Sequence, residues 1–174
     1  MKTAANKINR LTEEGFQQWL QNKAQFGYAK TSLGRVSLCC DATSVSKLSF
    51  TGETFQDLSQ SIRRNDQLAQ QHAESIFQSA FTGSITLIGT DFQLAVWQAL
   101  MRVPFGEVIS YQGLSESMGR PKAFRAVATA IAQNRCGFLI PCHRVIKKNG
   151  ESGEFRWGFE MKRRLLDWEA QTKR

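Results

Sequence analysis

The chain has 174 residues, 41% hydrophobic and 22% charged, with a formal net charge of +8. This is ordinary globular composition, enough for one domain or two small ones sharing an interface. No apolar run reaches the roughly 18 residues that span a bilayer, and "MKTAANKINRL" lacks the apolar core of a secretory signal. The excess of cations favours a polyanionic partner through counterion release, a property that nucleic acid shares with anionic membranes and acidic proteins.

In chain order, Thr12 caps a short helix that carries Phe16, Trp19 and Leu20 on one face. "TSLGRVSLCCDATSVSKLSF" reads as a β-hairpin: Val36, Leu38 and Cys40 alternate on one strand, Leu48 and Phe50 on the next. Two helical stretches follow, one with Phe55, Leu58 and Ile62, the other with Leu68, Ile76 and Phe77, and then "SITLIG" reads as a strand. A border between halves falls in residues 83–90, dividing an N-terminal α/β domain with a helical extension (1–88) from a second domain (89–174). "DFQLAVWQALMRV" is apolar almost all round, the pattern of a central buried helix. In "VPFGEV", Pro104 and Gly106 break the periodicity and make a turn.

"SYQGLSESMGRPKAFRAVATAIAQN" reads as two short helices around Gly119. Ser110 caps the first, which turns Leu114 and Met118 inward. Pro121 suits the first position of the second, where its missing N–H costs nothing. Phe124, Val127, Ala128 and Ile131 then fall on one inward face, leaving Lys122, Arg125, Ala126 and Thr129 outward. That outer face is small and basic, with one long cation, and so suits close entry into a groove. An ordinary αα-hairpin with a solvated basic face fits the same pattern.

The four cysteines, Cys39, Cys40, Cys136 and Cys142, fit neither a disulfide framework nor a zinc site. Free thiols in a reducing cytosol are the simpler reading, with Cys39 and Cys40 packing inside a strand. Cys142 follows a strand-like run, 138–140, and Pro141, so it sits on a turn leaving that strand. The thiolate is the nucleophile, and a free thiol is mostly protonated at neutral pH, so a base is needed. His143 is adjacent, although consecutive side chains often diverge and a water then bridges them. A third group would orient the histidine. Glu169 lies four residues after Leu165 and three after Leu166 on a helical pattern, which turns its carboxylate inward beside apolar neighbours. The alternatives are a packing thiol, a satisfied core histidine and a frayed surface carboxylate.

Four stretches, "IPCHRVI", "FQLAVWQALMRVPFGEVISYQGL", "GRPKAFRAVATAIAQN" and "RWGFEMKRRLLDWE", together resemble the O6-alkylguanine-DNA alkyltransferases, also called methylated-DNA–protein-cysteine methyltransferases, in family order. The resemblance covers most of 91–169 and is looser over 27–88. It implies an α/β fold: a small RNase H-like N-terminal domain packed on a helical C-terminal domain with a helix-turn-helix. It also implies direct-reversal DNA repair, in which an alkyl group moves from O6-alkylguanine, and in some relatives O4-alkylthymine, onto the protein's own cysteine. Carried over residue by residue, Cys142 is the acceptor, His143 deprotonates it through a water and Glu169 holds the histidine. Asn134 lies in the turn to the active-site loop, with a left-handed C-cap as the plainer role. Tyr111 donates to the flipped base, Arg125 fills the vacated stack, and the Val145 carbonyl accepts from the guanine amino group. Phe155, Arg156 and Trp157 belong to the pocket loop, with plain packing the alternative for Trp157.

The resemblance further implies no cofactor and a minor-groove contact with double-stranded DNA; beside it, no metal, no membrane, a monomer and a cytoplasmic location, nucleoid-associated in a bacterium, are expected. The run "GESGEFRWG" departs from close bacterial relatives, which read glycine and tyrosine where Glu154 and Phe155 stand. A non-catalytic lesion binder of alkyltransferase-like type is the alternative that Glu154 keeps open. A helix-turn-helix regulator reading the major groove would leave "PCHRV" and Glu169 unexplained.

Overall fold

Thr12 starts the first helix of the computed structural model, which describes residues 7–50, 62–78 and 81–172. Its hydroxyl accepts from Gly15 N at 3.1 Å, and α1 (Glu13–Asn22) buries Trp19 and Leu20 with Phe16 packed beside them. The chain divides into two compact units, Lys2–Ile88 and Gly89–Arg174. No helix among the described residues is long and apolar enough to cross a membrane.

The first unit is built on a sheet of β1 (Ile8–Arg10), β2 (Gln25–Thr31), β3 (Gly34–Cys40), β4 (Ser44–Ser49), β5 (Arg63–Arg64) and β6 (Ser84–Leu87), in the order β1-β6-β4-β3-β2-β5. β2, β3 and β4 form an antiparallel meander, with Leu38 opposite Leu48, and the remaining pairs are parallel. A meander extended by a parallel strand beside its first strand is the RNase H-like arrangement. The hairpin of the sequence reading is β3–β4, but every residue from Val36 to Cys40 is buried, because both faces of the strand are covered. Burial pushes the Cys39 and Cys40 thiols up to about 12, which leaves them inert at neutral pH.

Asn65 caps α2 (Asp66–Phe77), its side chain accepting from Leu68 N at 2.9 Å. Of the other expected helix, Phe55 and Leu58 lie outside the described residues. α2 approaches β2 so closely that a Cβ on Gly27 would stand 2.4 Å from Asn65 O and 2.8 Å from the Ala69 Cβ.

In the second unit a capping box of Thr90 and Gln93 opens α3 (Asp91–Met101), which buries Leu94, Val96, Trp97, Ala99 and Leu100. β7 (Ile109–Ser110) leads into α4 (Tyr111–Ser117), capped by Ser110. Gly119, at φ +70°, turns the chain into a 3₁₀ turn at Pro121–Ala123 and then α5 (Phe124–Ala132). After a 3₁₀ turn at Cys142–Arg144 come β8 (Val145–Ile146), parallel to β7, and α6 (Phe159–Thr172).

The helix-turn-helix is present, with three corrections. Pro121 belongs to the 3₁₀ turn rather than to the first position of α5. The inward face of α5 is Val127, Ala130 and Ile131; Phe124, its first residue, lies at the margin of that stripe and is 43% exposed. In α4 the inward partner of Leu114 is Ser115, held by the Arg120 carbonyl, while Met118 is the half-buried C-cap. Trp97 ties α3 to α5, donating to Ala130 O at 3.0 Å.

The Gly27 contact generates a stability prediction. Gly27→Ala overpacks the β2–α2 interface and costs about 1–3 kcal/mol; urea denaturation should show the lowered midpoint, and an unchanged midpoint would contradict the close approach.

Candidate active site

Cys142 stands at the head of a turn that the preceding residues force. Residues 138–140 do not form the expected strand. Phe138 takes φ +65°, and Leu139 N and Ile140 N bond back to Gly137 O and Cys136 O at 2.8 and 3.0 Å. A left-handed backbone at a bulky residue is strained. Here it turns the Phe138 ring parallel to His143, with centroids 6.0 Å apart and planes 1° from each other.

The 3₁₀ turn at Cys142–Arg144 gives its consecutive side chains different surroundings. Cys142, 6% exposed, lines a cavity of about 230 Å³ with Tyr111, Ala128, Ile131, Ala132, Asn134, Glu154, Phe155 and Arg156. His143 does not line that cavity and is fully buried. Its Nε2 lies 2.8 Å from Glu169 Oε1. A carboxylate only accepts, so Nε2 carries the proton. Nδ1 then holds the lone pair, and it has no partner among the described residues. Burial lowers the imidazole pKa and outweighs the opposing pull of Glu169, so the ring is neutral at pH 7. The neutral ring is thus a base with its accepting nitrogen fixed by the carboxylate behind it.

Glu169 is also fully buried. Arg144 closes on it, with Nη2 2.8 Å from Oε1 and Nε 3.0 Å from Oε2, while Gly106 N donates to Oε2 at 2.9 Å. Burial alone would raise this carboxyl's pKa. Hydrogen bonds from His143 and Arg144 prevail and hold it at about 2. Arg144 in turn donates to Val103 O at 2.7 Å and lies over Phe105, 5.5 Å from the ring centroid.

Burial pushes the Cys142 thiol up to about 11, with Asn134, Lys162 and Arg156 pulling it down. Asn134 Nδ2 donates to Sγ at 3.0 Å and to Ile140 O at 2.9 Å, and its Oδ1 accepts from Cys136 N. Asn134 therefore clamps the active turn directly. Lys162, absent from the sequence reading, is fully buried and donates to Val145 O at 2.6 Å and to Ser152 O. Burial draws its pKa down to about 8, and it lies close enough to favour the thiolate. Its signal was available: Lys162, Leu165 and Glu169 share one stripe of α6, and all three are buried.

Tyr111 follows β7, whose pairing with β8 brings the tyrosine to the thiol's cavity. Gly153, at φ +68°, leaves room for it: a Cβ there would lie 3.2 Å from the tyrosine hydroxyl. Arg156 donates to Ala132 O at 2.9 Å. Val145 and Trp157 do not line the cavity: the Val145 carbonyl serves Lys162, and Trp157 is buried edge-on to Phe155 at 5.1 Å. Lys122, Arg125, Ala126 and Thr129 are all exposed. Three cavity residues, Ala128, Ile131 and Ala132, belong to the same helix, so α5 carries both the outward basic face and one wall of the thiol's cavity. A cavity of about 600 Å³ in the other unit, beside His72 and Thr43, contains no nucleophilic thiol.

Residues 91–171 match the family described as 6-O-methylguanine DNA methyltransferase, DNA binding domain. The chain is 30% identical over 152 residues to the methylated-DNA–protein-cysteine methyltransferase of Haemophilus influenzae, spanning 83% of this chain and 85% of that relative. It is 42% identical over 114 residues to the bifunctional transcriptional activator/DNA repair enzyme Ada of Escherichia coli, 62% of this chain but only 32% of that longer relative. Among solved structures it is similar to Mycobacterium tuberculosis OGT in complex with DNA, with a TM-score of 0.71 and 27% identity over 84% of this chain and 93% of that one.

The buried carboxylate generates a pH prediction. Its folded pKa lies below the ordinary 4.5, so its stabilisation is complete above that pH and is lost as pH falls toward about 2. Glu169→Gln should cost about 3–5 kcal/mol at neutral pH. In urea denaturation at stepped pH, that deficit should shrink between about 4.5 and about 2; a deficit constant across the window would contradict the assignment.

Proposed function

Because the chain belongs to the methylated-DNA–protein-cysteine methyltransferase family, we propose that it repairs DNA by moving an alkyl group from O6-alkylguanine in a duplex onto its own Cys142. The observation that carries this reading is one arrangement: a thiol at a cavity wall, with a neutral imidazole held by a buried carboxylate behind it.

The thiol proton passes to Nδ1 of His143 through a water. The sulfur lone pair forms the S–C bond as the O6–C bond breaks in line. The electrons of that bond go to the purine, which regains one proton as guanine. One thiol and one O6-alkylguanine give one thioether and one guanine, with no other reactant. Tyr111, which lines the same cavity, donates to the purine as its charge grows. The thioether is a poor leaving group with no hydrolytic exit, so each molecule acts once. O4-alkylthymine presents the same alkyl–oxygen bond and is a second candidate substrate.

Cys142 is recessed, so the lesion must leave the stack to reach it, at a cost of a few kcal/mol. In this reading α5 enters the minor groove with its small residues Ala126 and Thr129 facing the DNA, while Lys122 meets phosphate and Arg125 fills the vacated space. The chain acts as a monomer in the cytoplasm, where reduced thiols persist.

Intact mass after incubation with O6-methylguanine in duplex DNA should show a single added methyl, mapped to Cys142 and missing in Cys142→Ala. Lesion binding without a mass change would favour a non-catalytic binder. Arg125→Ala should slow duplex repair at least about ten-fold more than attack on a free alkylated base, because only the duplex charges for extrusion. Equal slowing of both would remove Arg125 from the stack.

A further inference from the structure

Phe124 is an aromatic ring on a helix surface otherwise made of small and basic residues. It is 43% exposed, with the Arg125 guanidinium carbon 5.7 Å from its ring centroid. It opens α5 directly after the turn that carries Lys122 and directly before Arg125. Phe124 also precedes Ala128 and Ile131 by four and seven residues, which places it on the helical stripe that becomes the wall of the thiol's cavity. The ring therefore stands at the margin between the basic outer face of α5 and the cavity.

We propose that Phe124 is a DNA wedge: when α5 is in the groove, its ring packs against the base pair beside the one whose base has been extruded. The proposal rests on the reading of α5 as the DNA-contacting helix. Phe124 adjoins Arg125, with the guanidinium carbon 5.7 Å from the ring centroid, so with Arg125 in the vacated space the ring is within reach of the flanking pair, base steps being about 3.4 Å. An apolar wedge beside a cation is the means by which minor-groove proteins open and kink a step. The neighbouring charges suit the phosphates on either side. Contact with the base also removes the ring from water, where the isolated chain leaves it. Arg125 substitutes for the missing base; Phe124 holds the adjacent pair open, so that the extruded nucleotide does not restack.

The test compares Phe124→Ala and Phe124→Leu with the unaltered protein on two substrates, duplex O6-methylguanine and free O6-benzylguanine. Phe124→Ala should slow the duplex reaction about ten-fold more than the free-base reaction, the loss of roughly one aromatic–base stack, with Phe124→Leu intermediate. A duplex carrying 2-aminopurine in the flanking pair should brighten on binding the unaltered protein and stay dim with Phe124→Ala. A duplex rate unchanged in both variants, or equal slowing on both substrates, overturns the wedge. Failure of the unaltered protein to transfer the methyl group would instead overturn the functional reading, so the two failures are distinguishable.

Discussion

Glu169 sits where water does not reach, and an ionised carboxylate there is tolerable only if its oxygens are fully used. They are. His143, Arg144 and the Gly106 amide converge on it from the thiol's turn and from the turn after α3. One anion on the last helix thus fixes the backbone on both sides of the site. Removing it would strand a buried guanidinium and release the imidazole together. The tautomer of His143 follows from it as well, because the carboxylate claims the protonated nitrogen and leaves the other as the base.

The thiol is held in the opposite sense. Burial drives Cys142 toward the protonated form, while Asn134, the Lys162 ammonium and Arg156 favour the anion without prevailing. Such a sulfur is quiet at rest and becomes nucleophilic only when its proton has somewhere to go. For a protein proposed to be consumed by its own reaction, that restraint protects the thiol from stray electrophiles until an extruded base fills the cavity. Lys162 contributes twice: its charge favours the thiolate, and its hydrogen bonds tie the Val145 and Ser152 carbonyls on the loop around the cavity to α6.

Helix caps, buried faces and the inward carboxylate are legible in the sequence; local backbone strain and shared partners are not. The caps at Thr12 and Ser110, the buried α3 and the inward position of Glu169 follow from side-chain chemistry and helical spacing within a few residues. An apolar run ahead of a proline predicts an extended Phe138, and nothing local announces a positive φ at phenylalanine. Arg144 shares Glu169 with His143, and no spacing or neighbouring residue in the sequence marks that one carboxylate as accepting from both. Periodicity alone turns Phe124 inward, but α5 begins at that residue and the preceding 3₁₀ turn leaves it at the margin. Family likeness puts Val145 and Trp157 at the pocket; in the structure the Val145 carbonyl accepts from Lys162 and Trp157 packs on Phe155.

The central claim is that Glu169 holds His143 as a neutral base with Nδ1 free to take the Cys142 proton. ¹⁵N NMR of the imidazole reads that state directly. The account predicts, at pH 7, a pyrrole-like Nε2 bearing hydrogen and a pyridine-like Nδ1, with Nδ1 losing that character only well below the ordinary histidine range. An imidazolium at pH 7, or hydrogen on Nδ1 in the resting protein, would contradict it.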